Sequence, residues 1–150
     1  MNAPRVCFRE QAPWRRRPSG TTKKGERKMQ KQLDDDPGLR PGRNIAIKTP
    51  THQWEDTVSF YRDRVGLEIV RTLNDSIGFR FGEMTLWIDR VPHQSQVDVW
   101  LELFCNSPAG ALQKLESPRR DELEPLSGVV GHWTSDPAGT VLLVRKESAE

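Results

Sequence analysis

SFYRDRVGLEIV (59–70) is the stretch on which the reading of the fold turns. Phe60 and Tyr61 sit where a helix packs its apolar face, Gly66 is a helix stop, and Leu67 opens a run of strand character. On the N-terminal side Trp54, Thr57, Val58 and Tyr61 recur at steps of three and four, so a helix is expected over 53–64, with Thr51 as its N-cap. Before it, NIAIKTP (44–50) alternates Ile45 and Ile47 with Asn44, Ala46 and Lys48, the pattern of a half-buried strand that Pro50 closes. On the C-terminal side 67–73, 77–81 and 84–89 read as strands, with Asn74 and Asp75 as a turn. The order is βαβββ.

After VPHQSQ (91–96) the same order starts again. Val97, Val99, Leu101 and Leu103 alternate with Asp98, Trp100, Glu102 and Phe104, a strand pattern with large side chains on both faces, which implies that both are buried or half-buried. Ser107 and Pro108 open a helix that runs to about 116, as cap and first helical residue. The charged, proline-bounded stretch 118–127 reads as loop with a weak strand. Strands at 129–134 and 141–146 close the chain around the turn Asp136-Pro137-Ala138-Gly139. The second half is a degenerate copy of the first.

Cutting the chain at Arg43 divides its charge. Residues 1–43 carry 12 Lys and Arg against 5 Asp and Glu, giving +7, and residues 44–150 carry 11 against 16, giving −5. The first segment has no sustained period of 2 or 3.6, so it is expected to be a disordered basic leader, residues 1–43, ahead of one domain, residues 44–150. Runs such as Arg15-Arg16-Arg17 read as a solvated tail before a nucleic-acid arm, and the acidic remainder argues against nucleic acid as partner. No stretch is apolar for the eighteen or so residues a membrane span needs, and no secretory signal is present, so a cytoplasmic protein is expected. Cys7 and Cys105, about a hundred positions apart, are not expected to form a disulfide framework.

NIAIKTP, SFYRDRVGLEIV and SDPAGTVLLV (135–144) together resemble the vicinal-oxygen-chelate superfamily, the glyoxalase, bleomycin-resistance and extradiol-dioxygenase group. The resemblance implies an α+β fold in which two βαβββ modules form an open eight-stranded cup, with helices outside and a small ligand inside. It also implies a divalent metal held by four side chains. Carried over by position, those fall on Asn44 and near Trp87, Trp100 and Leu143, a poor donor set, because an indole and a leucine offer no lone pair to a cation. No metal or other cofactor is therefore expected, with a divalent metal as the alternative.

The expected ligand-binding residues are Asn44, Arg80, Trp87, Trp100, Glu102, His132 and Trp133; no catalytic residue is assigned. Trp87, Trp100 and Trp133 share the cup face by alternation, where they either fill a core or form a cage for a flat or cationic molecule. Asp98 and Glu102 flank Trp100 on that face and are read first as salt-bridge partners of Lys48 or Arg80, and second as an acid/base or metal pair. His132 is read first as a structural or surface residue, and Cys105 as core. The leading reading is a glyoxalase-like or bleomycin-resistance-like protein that binds or sequesters a small organic ligand without the usual metal. The alternative is a divalent-metal-dependent lyase, isomerase or dioxygenase with displaced ligands drawn from His132, Glu102 and Asp98. A homodimer is expected, because such proteins commonly pair modules across an interface.

Overall fold

The computed structural model describes residues 23–34 and 36–148, in two units that divide after Asp34. The first contributes helix α1 (Lys23–Asp34), rich in the helix formers Lys, Arg, Glu and Gln, with Glu26 in its first turn and Lys31 in its last. A leader without regular structure was expected here; 1–22 lie outside the described residues, together with Cys7 and Trp14.

The second unit has the expected α+β architecture. Its strands are β1 (Arg40–Pro50), β2 (Ile69–Leu73), β3 (Ser76–Phe81), β4 (Met84–Val91), β5 (Asp98–Phe104), β6 (Gly131–Ser135) and β7 (Val141–Arg145), with helices α2 (Thr51–Ser59) and α3 (Pro108–Leu115). All seven strands form one sheet in the order β2-β3-β4-β1-β5-β7-β6. β1 runs parallel to β4, and β5 parallel to β7, because in each half the chain leaves through a helix and returns. The halves meet where β1 and β5 pair antiparallel, Ala46 opposite Trp100 and Lys48 opposite Asp98.

Four expectations are corrected. The sheet has seven strands among the described residues, not eight, since 116–130 forms no strand: Pro118, Pro125 and Gly128 punctuate it and its charges follow no period of two. β1 starts at Arg40 rather than Asn44. Helix α2 begins on Pro50 with no side-chain cap, so Thr51 is its first residue and not its cap, and its C-terminal turn Phe60–Arg64 is π-helical. Val99 and Leu101, on the β5 face away from the cup, are 41% and 37% exposed, so that face is less covered than its apolar pattern implied.

Gly66 ends the π-helical turn at φ +78°, the left-handed region that glycine enters without strain. One face of β1, β3 and β4 then packs under α2: Ile77, Phe79, Leu86 and Ile88 are buried against Val58, with Trp54 and Tyr61 at the edge. A smaller core forms under α3 from Cys105, Ala111 and Val144, with Leu39 and Leu103 beside it. Burial pushes the Cys105 thiol pKa up, the behaviour of a core residue rather than a nucleophile. The opposite face of the sheet is the concave one.

Leu39 and Arg40 give a sharp test of where order begins. Leu39 packs on the α3 core, Arg40 pairs with Glu147 at 2.7 Å, and Pro37 O accepts from Asn106 N at 2.7 Å. A chain of residues 41–150 should therefore be less stable than one of residues 35–150 by about 1–3 kcal/mol, mostly from the lost leucine. Equal urea midpoints for the two would place the start of the folded unit at residue 41 or later.

Candidate ligand-binding site

Alternation along the four central strands sends Asn44, Ala46 and Lys48 of β1, Trp87 and Asp89 of β4, Trp100 and Glu102 of β5 and Leu143 of β7 to the concave face. With Trp133 of β6 they line a cavity of about 260 Å³, which Ser76 and Glu124 border. Gly78 on β3 leaves room for the Trp87 ring, since a Cβ there would stand 3.1 Å from it.

A hydrogen-bonded chain runs across the floor. Trp87 Nε1 donates to Asn44 Oδ1 at 2.8 Å, and Asn44 Nδ2 donates to Glu102 Oε2 at 3.0 Å. The same carboxylate oxygen accepts from the backbone N–H of Arg43 at 2.8 Å and of Asn44 at 3.2 Å. Its other oxygen takes Arg145 Nε at 2.6 Å, and the Arg145 guanidinium lies 4.9 Å from the Phe104 ring centroid. Side chains of β4, β1, β5 and β7 are thereby tied in series. Glu102 is 8% exposed and its charge is met by a guanidinium and three N–H groups, the only state in which a buried carboxylate is tolerable.

A second cluster forms beside it. Lys48, 6% exposed, places its ammonium 2.9 Å from Asp89 Oδ2, 3.1 Å from Glu124 Oε1 and 4.2 Å from the Trp100 ring centroid. Trp100 meets Trp133 edge to face at 5.0 Å. The three indole N–H groups are all used inside the protein: Trp87 on Asn44, Trp100 on Asp98 Oδ2 at 2.8 Å, and Trp133 on Glu124 O at 2.8 Å. The rings are thus oriented by their N–H bonds and leave apolar surface to the cavity.

Five of the seven expected site residues meet at this cavity: Asn44, Trp87, Trp100, Glu102 and Trp133. Two do not. Arg80 sits near the outer end of β3, 60% exposed, and pairs with Glu68 at 2.7 Å. His132 alternates with Trp133 and lies near Ser107 and Pro108 at the start of α3. The expected ion pairs are also corrected: Glu102 pairs with Arg145, Lys48 with Asp89 and Glu124, and Asp98 accepts from Trp100. Sequence reasoning missed Asp89, Glu124 and Arg145. Arg145 shares the parity of Leu143, which was a usable signal; Glu124 reaches the cup from a loop, for which no pattern exists.

The donor set does not fit a divalent cation. The positions the family resemblance assigns carry an amide, two indoles and a leucine, and the one buried carboxylate beside them is already bound by a guanidinium. Among the described residues no three His, Cys, Asp or Glu side chains converge in a metal-holding group.

No protein-family model and no curated protein sequence matches the chain. Solved structures do. A substrate complex of homoprotocatechuate 2,3-dioxygenase from Brevibacterium fuscum, with 3,4-dihydroxyphenylacetate bound, superposes at TM-score 0.52 and 16% identity over 76% of this chain and 38% of that one. A variant of the B. fuscum enzyme superposes at 0.51 and 16%, over 76% and 34%. The chain thus spans little more than a third of the structures it matches. At that identity the likeness is one of fold alone, shared with dioxygenases that belong to the vicinal-oxygen-chelate fold family.

Proposed function

We propose that the protein binds, and in doing so sequesters, a small flat organic molecule in its cup without a metal. One observation carries this: three indoles turn their rings toward a single cavity while spending every N–H internally. A cavity of about 260 Å³ exceeds the roughly 150 Å³ apolar hole that takes benzene, so a ring with one or two substituents fits. The rival, a divalent-metal lyase, isomerase or dioxygenase, has the fold of the extradiol dioxygenases on its side and the donor chemistry against it. Fold alone does not decide between them. The displaced-ligand form of the rival fares no better, because His132 lies apart from Glu102 and Asp98.

A homodimer is proposed beside this reading, through a surface other than the β1–β5 junction, which lies within one chain. The cup reading needs no second copy.

The test is a titration with planar aromatic compounds, read by tryptophan emission, with saturation at one ligand per chain. A library of neutral and charged single-ring compounds that leaves the emission unmoved overturns the reading. Metal provides the complementary check: nickel, zinc or manganese should each raise the melting temperature by less than about 1 °C. A stoichiometric metal that survives chelator would promote the enzyme.

A further inference from the structure

The cup holds a carboxylate that the rest of the sheet does not need. Among the described residues lining the cavity, Lys48 is the sole Lys or Arg, and its ammonium is shared by two acids of unlike standing. Asp89 belongs to β4, its side chain is 16% exposed, and Ser76 Oγ donates to its second oxygen at 2.5 Å. Glu124 comes from the 116–130 connection, and its side chain is 54% exposed. Its backbone is nevertheless pinned, because its carbonyl accepts from Trp133 and the backbone N–H of Arg120, in the same connection, donates to Trp133 O at 2.9 Å. The carboxylate can therefore swing into water by side-chain rotation alone, and the Lys48 side chain, 7% exposed, keeps Asp89 as its partner when it does.

We infer that Glu124 stands in for the ligand's own acid group, and that the cup takes a small aromatic carboxylate, ring against Trp100 and Trp133 and carboxylate on Lys48, with Glu124 displaced. This rests on the reading of the cup as a ligand site. Charge balance favours it. Lys48 offsets Asp89 and Arg145 offsets Glu102, so the unbalanced charge of the lining is that of Glu124, and an incoming carboxylate replaces it one for one. An organic cation would instead sit beside the Lys48 ammonium.

Glu124 then competes with the ligand, and its removal strengthens binding, the opposite of what deleting a contact residue does. The full chain is titrated calorimetrically with benzoate, benzamide and benzylammonium, together with the variants Glu124→Gln and Glu124→Ala. Benzoate is expected to bind both variants about three- to tenfold tighter than the parent, since the fraction of cups open to it rises, while benzamide changes less than about twofold. Because Glu124 is half-exposed, both variants keep the fold, and equal melting temperatures verify that. Unchanged or weaker benzoate binding in both variants overturns the inference, as does benzylammonium binding the parent more tightly than benzoate. If benzamide binds and benzoate ignores the substitutions, only this inference falls; if none of the three probes binds, the cup reading falls with it.

Discussion

Glu102→Ala should be the most damaging single substitution on the concave face, lowering stability by about 3–5 kcal/mol, because it strands a charge and several donors rather than removing one contact. The Arg145 side chain is 15% exposed and loses its 2.6 Å partner, while the N–H groups of Arg43 and Asn44 lose their acceptor. Asn44 Nδ2 is left without its carboxylate partner too, so the amide that accepts from the Trp87 indole is held less firmly. For a unit of this size the loss corresponds to a melting temperature more than about 10 °C lower. A double variant separates ion pairing from packing. Glu102→Leu with Arg145→Met removes both charges at similar volume and should lose much less than the sum of the single changes, since neither leaves an unpaired ion. Additive losses in the double variant would show that Glu102 and Arg145 act independently, and the account of the cup floor as one network would fail.

The difference between what was legible and what was not follows the range of the interactions. The strand faces were readable because alternation is local: Ile45 and Ile47, Ile77 and Phe79, and Trp100 and Glu102 declare their sides by spacing alone. The helix ending in Phe60, Tyr61 and Gly66 was readable for the same reason. Arg40 to Arg43 were not, since proline and glycine argue against a strand; pairing with Leu103 and Phe104 on β5 overrides that, and the register shift between Pro41 and Ile45 is where the irregularity is absorbed. The ion pairs were misassigned because Lys48 has two strand neighbours. It faces Asp98 on one side and Asp89 on the other, both in register, and Asp98 is taken up by the Trp100 indole and the Val99 N–H, which leaves Asp89 to the ammonium, an outcome that spacing in the sequence does not show. The missing eighth strand is a loss of pattern, and a resemblance carried by the other strands could not reveal it.

Trp100→Ala should weaken binding of an aromatic ligand by about 1–3 kcal/mol, the range for a buried aromatic anchor, which is roughly 5- to 150-fold in Kd. The side chain does three things at once: its ring lies under the Lys48 ammonium, its edge meets Trp133, and its N–H is held by Asp98. Alanine removes all three, so weaker binding could come from a lost stacking surface or from a collapsed cup. Trp100→Phe distinguishes these. A phenyl ring keeps a π face for Lys48 and part of the contact with Trp133, but it gives up the second ring and the bond to Asp98. If the indole stacks on the ligand, the phenylalanine variant should melt nearer the parent than the alanine variant does, and still bind measurably more weakly than the parent. If instead it binds every aromatic probe as the parent does and loses only stability, Trp100 is a core side chain, and Trp87 and Trp133 alone would have to supply the stacking surface.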